Sequence, residues 1–394
     1  MKRICLTGVC LLVMVVGLFG GLFGCAAPAP EKEITQITWT TYDLGSATYP
    51  NSAYVADAIL KTYNVRVRVL PAASEVTRLA AARGGTADFF LTGGGAWFAQ
   101  EGLMEFAALD WGPQVFDMCF MGIQSGLSMM VRGNSDIKTI KDLKGKRVSY
   151  AIGSPANNMQ TAGILAAADL TWADVVRVDY SSFGASTGGP LEGSCDAVPN
   201  NTNSAAAYTL EASPHGIRWL EIPNDAATWA KVKKYWPYSS SYRSSLGAGV
   251  SKDKPIWMGN YWVPTWAIYP KNYDKAYYDE LCYFQTKSIV ETYDTFKVAS
   301  DTVRELYTLD AFLGLINGSG FPIAEGTIKY LKEIGKWTAE NQKAQDENLR
   351  YRAKLAQLWQ ETVDEAVKQG IKSADFTNLW LKKREAAGLI VATM

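Results

Sequence analysis

Histidine is almost absent: His215 is the one instance in 394 residues. That excludes His-rich metal sites and argues against a Ser-His or Cys-His catalytic centre. His215 lies between Pro214 and Gly216 and reads as a turn residue. Cysteine is scarce as well. Beyond Cys5, Cys10 and Cys25, the chain holds only Cys119, Cys195 and Cys282. Three thiols close at most one disulfide, and their spacing fits no metal motif. Net charge is missing too, since 39 basic residues balance 39 acidic ones. A near-neutral chain carries no overall basic footprint for nucleic acid. No Gly-Lys-Ser/Thr follows the glycines at 93–95, so they form no phosphate loop, and Gly153 opens no dinucleotide fingerprint. Acidic residues are scattered, without a pair set for acid–base work. No cofactor, metal or catalytic residue is assigned.

What is present begins with a leader. Lys2 and Arg3 precede an apolar stretch, Leu11 to Phe19, which ends in Leu22-Phe23-Gly24-Cys25. A charged start, a short apolar core and small residues at the cut site make a secretory signal. The core is shorter than the roughly 20 apolar residues a membrane span needs. An uncleaved anchor helix is the alternative. Leu22-x-Gly24-Cys25 also resembles the bacterial lipobox, whose Cys receives a diacylglycerol before cleavage. Residues 1–24 are therefore expected to be a lipoprotein signal peptide, with Cys25 the lipidated first residue. Residues 25–35 are small, polar and Pro-spaced, the composition of a tether. The expected location is periplasmic or cell-surface, lipid-anchored to a membrane.

The remaining chain of about 370 residues suggests two lobes. Strands alternate with helices, the pattern of an α/β fold. Gln36–Thr41 reads as a strand, followed by a loop from Tyr42 to Pro50. Asn51 or Ser52 is placed to cap a helix running to Tyr63. Val65 to Val69 alternates with period two, a half-exposed strand. Ser74 caps the next helix, and Ala87–Leu91 is a short buried strand. Leu127–Val131, Val148–Ile152, Val175–Tyr180, Asp196–Val198, Ile217–Ile222 and Trp262–Tyr269 read as further strands. Pro155 suits a first helical turn. From Lys329 the chain turns helical and charged. Leu355, Leu358, Trp359, Thr362, Val363, Ala366 and Val367 recur at helical spacing, an amphipathic helix packed on the body or on a partner.

Three loops follow strand ends. They are Gly45–Pro50, Thr92–Gly95 and Gly153–Asn158. In open α/β sheets ligands bind beyond the carboxyl ends of strands, and helix starts favour anions. Glycine there permits close backbone approach, and hydroxyl or amide groups supply directed hydrogen bonds. The loops suit a carboxylate or another small polar solute. The expected ligand contacts are Ser46, Tyr49, Ser74, Thr92, Gly93, Ser154, Asn157, Asn158 and Asn201, with Asn200 a further candidate. Trp97 and Trp262 are read as aromatic walls or as core.

Several segments together resemble one family. Gly45 to Pro50 is a Gly-rich loop ending in aromatic-Pro. Ala73-Ser74-Glu75-Val76 is followed by Leu79, Gly84-Gly85 and Asp88. Ile137 to Val148 contains Asp142-Leu143-Lys144-Gly145-Lys146-Arg147-Val148. Gly153-Ser154 precedes Asp169-Leu170 and then Leu191 to Ala197. Phe321 to Tyr330 closes the set. These resemble the TAXI-type solute receptors of tripartite ATP-independent periplasmic (TRAP) transporters, over roughly residues 36–335. Pro322-Ile323-Ala324-Glu325-Gly326-Thr327 departs from the family's Pro-His-Pro-Gly-Ala-like segment. The resemblance implies a two-lobe type II periplasmic binding protein fold with hinge and interlobe cleft, plus a C-terminal helical extension at 336–394. Lobe I would comprise 36–134 and 252–335, and lobe II 135–251. It also implies capture of a small carboxylate and delivery to TRAP membrane subunits. A receptor for an ABC transporter, an exported hydrolase and a surface adhesin or sensor partner are the alternatives.

Overall fold

The computed structural model describes residues 33–44, 46–122, 124–262 and 265–391. The leader, Cys25 and the tether as far as residue 32 lie outside them. Ile34–Met394 forms one unit, and no helix among the described residues is long and apolar enough to cross a membrane.

The first sheet runs β2-β1-β3-β12-β4, from β1 (Gln36–Thr41), β2 (Arg66–Pro71), β3 (Phe89–Thr92), β4 (Asp117–Met121) and β12 (Thr265–Ile268). β1 and β3 are inner strands and are buried almost throughout, so neither alternates. β2 is the edge strand and keeps the alternation read from its sequence. Helix α1 (Thr48–Tyr63) starts earlier than Asn51 or Ser52 would have it, with Ala47 at its N-cap. Pro50 fits there because the first turn's N–H groups have no helical partner. Ser52 instead donates back to the Thr48 carbonyl at 2.7 Å. Helix α2 (Glu75–Arg83) does begin at Ser74, whose hydroxyl accepts the Thr77 N–H in a capping box. Helix α3 (Gly95–Glu101) follows β3.

The second sheet runs β10-β11-β5-β8-β6-β7, with β9 paired to β5. Its strands are β5 (Gln124–Arg132), β6 (Arg147–Ala151), β7 (Val176–Tyr180), β8 (Ala197–Asn201), β9 (Ile217–Trp219), β10 (Ser241–Ser244) and β11 (Ile256–Trp262). Helices α4 (Pro155–Ala166) and α5 (Phe183–Thr187) follow β6 and β7. β5 and β11 pair with each other, and β5 pairs with β8. Lobe boundaries at 134/135 and 251/252 would assign both strands to the first sheet. Their hydrogen bonds place them in the second. The run Trp262–Tyr269 is likewise divided, since β11 ends at Trp262 and β12 begins at Thr265.

The chain thus passes from the first sheet to the second after β4 and returns after β11. On return, β12 enters antiparallel between β3 and β4. This strand order, with the returning strand inside the first sheet, is that of the two-lobe type II binding-protein fold. Trp266 of β12 fills the first core, edge-on to Trp39 at 5.6 Å and to Phe120 at 5.8 Å. The second core gathers Leu127, Met129, Val148, Ile164, Val232 and Trp236. Cys119, Cys195 and Cys282 are free and buried.

A helical extension packs on the first lobe. The helix Ala339–Gln369 spans about 46 Å at 1.5 Å per residue. Its Arg352 pairs with Asp117 at 2.5 Å, and Tyr351 donates to Glu101 at 2.7 Å. Leu355, Thr362 and Ala366 are buried, whereas Val367 is 76% exposed, so the inner face is narrower than the sequence spacing suggested. The helix Ser373–Ala386 brings Trp380, whose Nε1–H donates to the Gly102 carbonyl at 2.7 Å. It also brings Arg384, fully buried, which meets the Glu101 carboxylate at 2.7 Å and the Glu101 and Ile390 carbonyls. A buried pair gains little net energy over an apolar one, yet losing one partner strands a charge. Arg384→Ala is expected to cost about 3–5 kcal/mol in urea unfolding followed by tryptophan fluorescence. Glu101→Gln combined with Arg384→Met should cost clearly less. An unchanged midpoint for Arg384→Ala would show that this pair does not hold the extension.

Candidate functional site

The carboxyl ends of β1 and β3 in one lobe face those of β6 and β7 in the other. Between them lies a narrow, partly open space of about 10 Å³. That is room for roughly one water. The first lobe lines it with Tyr42, Glu75 and Gly94, and the second with Leu127, Ser154, Asn157, Gln160 and Phe183.

Lobe contacts here are made by acidic side chains on helix starts. Glu75, first residue of α2, accepts the Ala156 N–H of α4 at 3.1 Å. Asp43 accepts the Gly184 N–H of α5 at 3.1 Å. Free N–H groups at a helix start attract negative charge. Tyr42 meets Phe183 edge-on at 6.1 Å. Tyr238, from the second lobe, packs on Trp97 at 5.4 Å, Phe98 at 5.9 Å and Trp236 at 6.3 Å. Its hydroxyl accepts from Gln160 at 3.3 Å.

The glycine run after β3 makes this contact possible. A Cβ on Gly94 would lie 1.9 Å from the Tyr238 hydroxyl, and one on Gly95 would lie 2.7 Å from the Glu75 carboxylate. Gly184 is under the same constraint, at 2.1 Å from Asp43. The glycines receive the protein's own side chains. Gly93 donates its N–H to the Tyr42 hydroxyl at 2.9 Å.

The residues expected from sequence divide into groups. Thr92, Ser154, Asn157 and Asn201 are buried, and Thr92 Oγ1, Ser154 Oγ, Asn157 Oδ1 and Asn201 Oδ1 have no hydrogen-bond partner among the described residues. Thr92 lies beside Gly95 and Glu75, Ser154 and Asn157 line the narrow space, and Asn201 ends β8. The other expected contacts are committed elsewhere. Asn158 bonds the Ala151 backbone with both amide atoms, at 3.0 and 2.8 Å. Ser46 donates to the Asp43 carbonyl at 2.9 Å, and Ser74 is occupied by its cap. Tyr49 lies half-buried in the first turn of α1. Asn200 accepts the Asn201 N–H at 2.8 Å. Trp97 is packed against rings, and the Trp262 side chain and Cys25 lie outside the described residues.

Sequence reasoning passed over Tyr42, Asp43, Glu75, Gln160, Phe183 and Tyr238 as contacts. An acidic residue directly after the Ser74 cap was the one available sign. Glu75 also carries the electrostatics of the cleft. Burial pushes its pKa from 4.5 up to about 7, against the pull of the Arg78 charge and the Ala156 N–H. Arg78 is 1% exposed, with its guanidinium 3.7 Å over the Tyr42 ring. One of its nitrogens donates to the Ala72 carbonyl at 3.3 Å, and Nε and Nη2 have no partner among the described residues.

Folded protein therefore holds a proton on Glu75 that the unfolded chain releases near 4.5. The folded state binds more protons in that window, so this group's contribution to stability falls as pH rises from about 4.5 to about 7. Relative to Glu75→Gln, the wild type is expected to lose up to about 3 kcal/mol between pH 4.5 and pH 8. Chemical denaturation at several pH values reads this. Parallel stability profiles for the two proteins would contradict it.

No curated protein matches the chain. Among solved structures, an ancestral arginine-binding protein bound to arginine is similar at 18% identity, covering 69% of this chain and 97% of that one, with a TM-score of 0.40. The alkanesulfonate-binding protein SsuA from Xanthomonas axonopodis pv. citri, bound to MOPS, has 16% identity, 87% and 96% coverage and a TM-score of 0.39. The periplasmic aliphatic sulphonate binding protein SsuA from Escherichia coli has 18% identity, 82% and 88% coverage and a TM-score of 0.39. The NMT1-like family model matches residues 41–335, which take in the whole cleft and end before the two C-terminal helices. On that match the chain belongs to the NMT1-like family.

Proposed function

We propose that this chain is an extracytoplasmic solute-binding receptor that captures a small organic solute between its lobes and hands it to membrane transporter subunits. The observation that carries this reading is the convergence of buried, unpartnered polar atoms from both lobes on one cleft. Thr92 comes from the first lobe, beside Glu75, and Ser154 and Asn157 from the second. Buried polar atoms without partners are costly, and a bound solute that satisfies them recovers that cost.

The space of about 10 Å³ admits no organic solute, so the lobes must part and close again around it. A solute touching both lobes then favours the closed form by its differential affinity for it. The likeness of Gly45–Pro50 and Phe321–Tyr330 to TAXI receptors supports a TRAP permease as the recipient. An ABC permease is the alternative. Lipid on Cys25 would keep the receptor beside either one. The loop starts at Thr92–Gly95 and Gly153–Asn158 support a carboxylate on the solute, whereas Glu75, already on the α4 start, opposes it.

Thermal-shift titration with carboxylates, amino acids, aromatic acids and amines tests the reading. At least one solute should raise the melting temperature, with stabilisation of about 2.7 kcal/mol at a hundredfold excess over Kd. Asn157→Ala should weaken that solute roughly tenfold, the loss of one buried hydrogen bond. A panel in which no solute shifts melting counts against a receptor.

A further inference from the structure

We propose that the cleft selects a small organic cation bearing N–H donors, such as an ammonium or guanidinium group, and discriminates against anions. This rests on the receptor reading and names the solute class for that site.

The helix starts facing the cleft are the places an anion would take. Both are occupied by the first lobe's own carboxylates, Glu75 on Ala156 and Asp43 on Gly184. An anionic solute would have to displace a carboxylate and then sit beside it, at a Coulombic cost that a low-dielectric interior magnifies.

Charge balance points the same way. Asp43 and Glu75 bring two potential negative charges to the contact, and Arg78 brings one positive charge. Arg78 does not line the narrow space; it lies on the Tyr42 ring. Once Glu75 ionises, one further positive charge completes the set. Asn157 Oδ1 in the cleft wall and Asp43 Oδ1 on the first lobe are acceptors that lack donors among the described residues, whereas the unpartnered Nε and Nη2 donors belong to Arg78, set back from the space. Asn157 is 5% exposed and lines the cleft. The Phe183 ring at its wall offers a π face to a cation, as Tyr42 already does to Arg78.

A cation beside Glu75 lowers the pKa of its carboxyl group, so binding releases a proton. Glu75 faces Arg78, Glu105 and Tyr238. Burial raises the Glu105 and Tyr238 values, and Tyr238 stays neutral where Glu75 titrates. Affinity for a cation should therefore rise as pH increases from about 6 to about 8, as Glu75 ionises.

Isothermal titration with matched probes tests the proposal. Benzylamine, 1,4-diaminobutane and agmatine form one arm, and benzoate, succinate and glutarate the other. At least one amine should bind, releasing protons as read in buffers of different ionisation enthalpy, and its carboxylate counterparts should not. Glu75→Gln keeps an acceptor for the Ala156 N–H, so the lobe contact survives. It should weaken the amine at least tenfold at pH 8 and remove the pH dependence, and Asp43→Asn should weaken it as well. Binding of carboxylates without amines overturns the proposal and leaves the receptor reading standing. Amine binding that neither variant changes overturns it too. If neither arm binds and the wider solute panel does, the selectivity is wrong; if nothing binds at all, the receptor reading falls with it.

Discussion

The double crossing between the sheets is the constraint on which the rest of the molecule depends. β12 enters antiparallel between β3 and β4, so the first sheet cannot be completed until the second lobe has been traversed. Thr265 donates to the Thr92 carbonyl at 2.7 Å, and Trp266 fills the core behind it. A strand that closes one lobe is thus the direct continuation of a strand in the other. Two such passages, one out and one back, keep the carboxyl strand ends of the two sheets opposed. The cleft is a consequence of that connectivity before any side chain is considered.

Side chains then decide how the cleft closes. Small residues on one side receive large or charged ones from the other: Gly94 takes Tyr238 and Gly184 takes Asp43, while Gly95 makes room for the Glu75 carboxylate within its own lobe. Carboxylates resting on helix starts stand where a bound anion would stand, and they close the lobes to about one water's volume. Such a contact is only moderately strong. Burial raises the free energy of ionised Glu75, and the Ala156 N–H and the Arg78 charge offset part of that.

Helix α3 joins this region to the C-terminal extension. It begins at Gly95, against Glu75, and ends at Glu101, which Arg384 and Tyr351 hold. Its seven residues are buried at every position but Trp97. The extension covers the end of α3 away from Gly95 and buries Phe376 and Trp380 in doing so. Its long helix is therefore a packing element of the first lobe, and its exposed outer face explains why its apolar spacing looked wider than its buried stripe.

The amino-acid sequence by itself determined the local elements. β1, the alternation of β2, the Ser74 cap, Pro155 at the start of α4 and the short turn before β6 are set by neighbours a few residues apart, and these were legible. So were Thr92, Ser154, Asn157 and Asn201 as polar groups at strand ends, now found buried and unpartnered. Asn158 was indistinguishable from Asn157 in sequence; one helical step of about 100° turns it back onto the Ala151 backbone. The assignment of β5 and β11 to the second sheet came only from pairing, because a strand's pattern does not name its partner. Asp43 and Glu75 acquired their meaning only in the fold, since their partners lie 141 and 81 residues away. Local propensity carries no information over such separations, and the charge state of a carboxylate depends on the burial that those distant residues impose.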